Sequence, residues 1–102
     1  MEELVKISKI MSDINRLNIL ALILREKELC VCEICDTLEL SQPLVSRHLR
    51  QMKYAKILDS VKEKKWVVYF LNKNKNDILN CFIKEINKLS PSLKKLISCS
   101  RE

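Results

Sequence analysis

The chain contains no glycine and only two prolines among its 102 residues. Without glycine there is no glycine-rich loop to cradle a nucleotide phosphate, and any backbone that must turn left-handed has to use another residue. The helix exit at Lys56 and the tip of a hairpin at residues 63–65 are therefore expected to put lysine or asparagine where glycine usually serves. Histidine occurs once, as His48. One distant histidine, with no βαβ pattern, leaves a cysteine nucleophile without a base and argues against an enzyme. No run approaches the roughly 20 apolar residues that span a bilayer. Residues 1–6 lack a secretory apolar segment, so a cytoplasmic protein with no membrane partner is expected. The length suits one domain over residues 1–102.

What is present is uneven. Three of the five cysteines crowd into Cys30-Val31-Cys32-Glu33-Ile34-Cys35, immediately before Ser41-Gln42-Pro43-Leu44-Val45-Ser46-Arg47-His48-Leu49. Short-range pairing within that cluster would be strained, so free thiols are expected. The net charge of +6 divides into −3 over residues 1–40, +7 over 41–75 and +2 over 76–102. A basic middle third is the footprint of a phosphate-facing surface, although a lysine-rich chain shows some clustering by chance.

Hydrophobic spacing predicts mainly α structure. Leu4, Ile7 and Met11 with Val5 give a first amphipathic helix, apolar beyond what so small a core covers. Ser12 or Asp13 caps a second, central helix carrying Ile14, Leu17 and the run 20–24. A short third helix spans about 32–38. Ser41 caps a fourth, with Pro43 in its first turn. There Val45, Leu49 and Met52 face inward, and Arg47, Arg50 and Tyr54 outward, at about 100° per residue. Two helices joined by a short turn, the second basic outside, form a helix-turn-helix. Residues 57–62 and 66–71 read as a hairpin with a charged tip, a wing. Ile78, Leu79, Phe82, Ile83, Ile86 and Leu89 give a further amphipathic helix, stopped by Pro91, and 93–97 one more turn. The expected fold is a winged helix-turn-helix of about five helices and a two-stranded wing.

These residues resemble the ArsR/SmtB family of metalloregulatory repressors, in particular its arsenic-responsive members. The resemblance is carried by Ser12-Asp13-Ile14-Asn15-Arg16-Leu17, the cysteine segment, Leu40-Ser41-Gln42-Pro43, Val45-Ser46-Arg47-His48-Leu49 and Lys65-Trp66-Val67-Val68-Tyr69. It departs at Ile14, Glu39, Lys56 and the glycine-free wing tip. It implies a homodimer joined by the first and last helices, bound to an imperfect palindrome in operator DNA and released by ligand.

Thiolates select soft ions, and a pyramidal three-sulfur shell suits As(III) or Sb(III) as inducer, with Cys30, Cys32 and Cys35 as ligands and no organic cofactor. Tetrahedral zinc normally wants four ligands. A structural reading, small buried hydrophobes, needs all three cysteines inward at once, which their spacing opposes. On a helix Cys32 and Cys35 lie about 60° apart, but Cys30 and Cys32 about 200°. Ligation then requires Cys30 to precede the helix or the first turn to unwind. Cys81 reads as a small core residue and Cys99 as a tail thiol.

Ser41, Gln42, Ser46, Arg47 and Arg50 are the candidate groove and backbone contacts, with Gln42 suited to adenine. A pure capping role for Ser41 stands beside this. His48 is either half-buried or a phosphate contact. Lys62, Lys64 and Lys65 are wing contacts or a solvated tip. The rival readings are the same fold sensing Cd(II), Pb(II) or Zn(II), a thiol-oxidation switch, and a zinc-stabilised protein-interaction module that does not bind DNA.

Overall fold

The computed structural model describes residues 1–73, 77–89 and 96–97. Asp13 opens the central helix: its backbone is extended, and its carboxylate accepts the amides of Asn15 at 2.8 Å and Arg16 at 3.2 Å. Helix α1 (Glu2–Ile10) precedes it, and α2 (Ile14–Glu26) buries Ile19, Leu20, Ala21, Leu22 and Ile23. At about 1.5–3 kcal/mol for each large apolar side chain removed from water, this helix supplies much of the core's driving force. Around it close Leu29, Ile34, Val45, Leu49, Met52, Ile57 and Leu58.

Helices α3 (Val31–Leu38) and α4 (Gln42–Tyr54) form the helix-turn-helix and pack on each other. Both end in the same way. Glu39 and Lys56 take left-handed conformations, and the amides of Leu40 and Ile57 reach back to the carbonyls of Cys35 and Met52 at 3.1 and 2.9 Å. Lys27 and Lys64 also have positive φ, so lysine and glutamate fill the sites where glycine is absent.

Strands β2 (Leu58–Glu63) and β3 (Trp66–Leu71) pair antiparallel, with Glu63 opposite Trp66 and Lys64-Lys65 as the connection. The two-stranded wing is as expected, but the sheet extends beyond it. A third strand, β1 (Glu28–Cys30), lies on the other side of β3, giving the order β1-β3-β2. Three residues are too few to display an alternating pattern, and β1 is held by partners some forty positions away, Phe70, Tyr69 and Val68.

The last long helix, α5 (Asp77–Leu89), buries Leu79 and Ile86 and leaves Ile78, Phe82 and Ile83 half-covered. Leu4 and Val5 on α1, and Leu89 on α5, are exposed apolar side chains. The turn expected at 93–97 falls largely outside the described residues. Within them, the Ile97 amide donates to Thr37 Oγ1 of α3 at 2.9 Å. Among the described residues no helix is long and apolar enough to cross a membrane.

Candidate sensing site and nucleic-acid interface

Cys30 stands where three structures meet. It ends β1, its Cα is paired with that of Val68 in β3, and it is the N-cap of α3. It is 1% exposed, and its amide donates to the buried Glu33 carboxylate at 3.0 Å. That reciprocal cap was not anticipated, although a Glu three residues after a helix start is its usual signature. Cys30 therefore precedes the helix, the first of the two arrangements that the spacing allowed. Its Sγ lies 3.2 Å from that of Cys32.

Cys35 is half-buried one turn along α3. Burial pushes its thiol up from the ordinary value, and the charges of Asp36 and Cys30 add to the effect. Two sulfurs are thus adjacent, but among the described residues no three His, Cys, Asp or Glu side chains are already gathered as a metal-holding group. Cys30, Cys35 and Cys81 are free thiols, whereas Cys32 is disulfide-bonded. Cys32 thus departs from the expectation of free thiols throughout the cluster. Cys81 is exposed and not a core residue. On a 3.6-residue helix it falls about 200° from Leu79. Cys99 lies outside the described residues.

The face of α4 follows its sequence. Val45, Leu49 and Met52 are buried, and Ser41, Gln42, Arg47 and Arg50 are exposed at and beyond the turn. Ser41 Oγ accepts the Leu44 amide at 3.4 Å. Gln42 Nε2 donates to Ser46 Oγ at 2.9 Å, which fixes the amide and leaves its oxygen and second N–H for a base edge. Lys62, Lys64 and Lys65 are exposed on the wing, Lys65 with its ammonium 5.2 Å from the Trp66 ring centre.

His48 departs from expectation. It is 4% exposed, so in this arrangement it offers no surface to a phosphate. Its Nδ1 lies 3.2 Å from Arg16 Nη1, and because guanidinium only donates, Nδ1 accepts and Nε2 carries the hydrogen. Nε2 is buried and has no hydrogen-bond partner among the described residues. Burial holds the His48 pKa below 6.5, opposed by Asp13 and reinforced by Arg16 and Arg47.

Arg16 is the residue that sequence reasoning passed over. Its Nε donates to the Ile10 carbonyl at 2.5 Å and Nη2 to that of Lys9 at 3.2 Å, while Nη1 also reaches Gln51 Oε1 at 2.9 Å. One guanidinium thereby ties the last carbonyls of α1 to α4, across 32 residues of sequence at His48. Its place beside the capping Asp13 gives no local hint of that reach.

Known proteins share this arrangement. Residues 13–60 match the sequence model described as bacterial regulatory protein, arsR family. The arsenic resistance transcriptional regulator ArsR1 of Pseudomonas putida is 48% identical over 64 residues, 63% of this chain and 50% of that protein. A cadmium resistance transcriptional regulatory protein, CadC of Listeria innocua, is 43% identical over 72 residues, 71% of this chain and 59% of its own. Against such relatives the matched segment spans only 50–59% of their length. The arsenical resistance operon repressor of Staphylococcus aureus is matched more fully, 36% identical over 89% of this chain and 84% of its own length. Among solved structures, HlyU from Vibrio cholerae superposes with a TM-score of 0.74 at 31% identity, covering 86% of this chain and 91% of that one. With the helix-turn-helix, the wing and most of a full-length relative aligned, this chain belongs to the arsR family of bacterial regulatory proteins.

Proposed function

We propose that this chain is a cytoplasmic, homodimeric transcriptional repressor of an arsenic-resistance operon. It binds an imperfect palindrome in double-stranded DNA and leaves it when As(III) or Sb(III) binds Cys30, Cys32 and Cys35 of the reduced protein. The observation that carries this reading is the position of Cys30, at once in register with the wing strand at Val68 and capping the helix on which α4 packs. A ligand that draws the Cys30 sulfur toward Cys35 loads both supports of the DNA-reading helix. Coupling of about 1–3 kcal/mol is typical of such linked sites. The exposed apolar residues of α1 and α5 supply surface for a two-fold interface.

Proton balance favours a metalloid over a divalent ion. Arsenous acid, As(OH)3, and three thiols condense to three As–S bonds and three waters, with no net release of protons. Cd(II) or Zn(II) must instead displace protons from its thiols, and burial opposes that at Cys35. Arsenite, antimonite, cadmium and zinc, each titrated into the reduced protein on a duplex, test the assignment. Arsenite loading should be nearly independent of pH and lost in Cys30→Ser, Cys32→Ser and Cys35→Ser. Displacement by cadmium or zinc alone would select the divalent-ion reading, and absence of duplex binding the interaction module.

One observation favours a second reading. Cys32 is disulfide-bonded, so oxidation of this thiol is a competing signal. Release of DNA by peroxide in the absence of arsenite, abolished in Cys32→Ser, would establish it.

A further inference from the structure

Between α1 and the C-terminal half of α4 lies a cleft of about 530 Å3, with no cysteine and no wing residue in its lining. Lys6, Lys9 and Arg50 line it, with Tyr54 and Ile10. No carboxylate is among its lining residues. Lys6 and Lys9 stand three apart on α1 and so share a face. Arg16 also lines the cleft, but its guanidinium is engaged with Ile10, Lys9, His48 and Gln51, which makes it a wall and not a ligand. Tyr54 is 79% exposed, unusual for a large aromatic side chain, and the Lys6 ammonium lies 4.7 Å from its ring centre.

Four like charges held around one concavity, Arg16 among them, repel each other unless an anion joins them. Arg50 belongs to the outward face of α4, so the cleft continues the basic surface that carries Arg47 and Gln42. We infer that this cleft is a second phosphate clamp, in which Lys6 and Lys9 of α1 join Arg50 and Tyr54 of α4 to hold the DNA backbone beside the end of the reading helix. The inference rests on the DNA-binding reading above and extends it to a helix that the sequence assigned only to dimerisation. The basic rim takes the phosphate and the Tyr54 ring packs on the adjoining sugar. Because backbone contacts carry no sequence information, the clamp sets affinity and register and not base choice.

The test uses the reduced full chain and a duplex that the protein itself selects from a random-sequence pool. Lys6→Ala/Lys9→Ala is compared with wild type, and Lys9→Glu serves as a second variant. All are surface changes checked for folding by thermal melting. Loss of two phosphate contacts should make the plot of log affinity against log salt shallower by about 1.8, so the wild-type advantage shrinks about twelvefold between about 50 and 200 mM salt. A single neutral methylphosphonate, moved along the backbone, should find a position that weakens wild-type binding but weakens the double variant no further. An unchanged slope, or a shallower slope with no such position, overturns the clamp while leaving DNA binding intact. Binding of inorganic pyrophosphate by wild type but not the double variant, with an unchanged DNA slope, would give the cleft to a free anion and likewise overturn the inference. Failure of wild type to bind any duplex overturns both this inference and the reading beneath it.

Discussion

Arg16→Ala removes a side chain that holds the end of α1 and the reading helix together. Four hydrogen bonds are lost, of which two are part-buried, those to the Ile10 carbonyl and to His48 Nδ1. The bonds to Lys9 and Gln51 are exposed and count for little once water replaces the guanidinium. Hydrogen bonds to a charged group contribute about 1.5–3 kcal/mol each when buried, and less here, so a loss of about 2–4 kcal/mol is expected. Part of it arises because His48 then has neither ring nitrogen partnered within the core. Against a usual total of about 5–15 kcal/mol the variant still folds, with a melting temperature at least about 8 °C lower. Urea unfolding at fixed protomer concentration measures this as a fall in midpoint with the slope preserved. Arg16→Lys keeps the charge but not the fork, and should recover less than half of the loss. A loss below about 1 kcal/mol for Arg16→Ala would refute this tie between α1 and α4 and make its contacts incidental.

Three further outcomes follow from local geometry. The native His48 binds a proton less readily than the unfolded chain, so stability is whole above pH 6.5 and declines as pH falls through that value toward the lower native pKa. Melting temperatures taken from about pH 7.5 to 5 should fall in wild type and flatten in His48→Gln. Asp13 acts in a separate window. Burial, which alone would raise its pKa, is outweighed by the amides of Arg16 and Asn15 and the Arg16 charge, so its contribution is lost only in acid below 3.8. Glu39, Lys56 and Lys64 occupy left-handed backbone, and replacing each by glycine should raise stability by about 0.5–1 kcal/mol, read from urea midpoints.

What could be read from the sequence was what is decided within a few residues. Asp13 as a cap, Val45, Leu49 and Met52 as a buried stripe, and lysine in left-handed turns all follow from local periodicity and turn chemistry. The exposure of Cys81 was legible by the same periodicity and was misassigned. What escaped depends on pairs distant in the chain. Strand β1 exists only through β3, and Arg16 meets His48 only because α1, α2 and α4 converge. The cysteine motif pointed to a site, and the fold adds what spacing could not supply: the N-cap of α3 and the last residue of the edge strand β1 are the same residue, Cys30.

The most direct measurement of the account is the dissociation constant for a self-selected duplex, taken with reduced protein before and after one equivalent of arsenite per protomer. Occupancy of three sulfurs is verified on the same sample by X-ray absorption. The account predicts weakening of about 5–150-fold, and none in Cys30→Ser. Equal affinity with three As–S bonds formed would contradict it, since the site would then be filled without being felt by the reading helix.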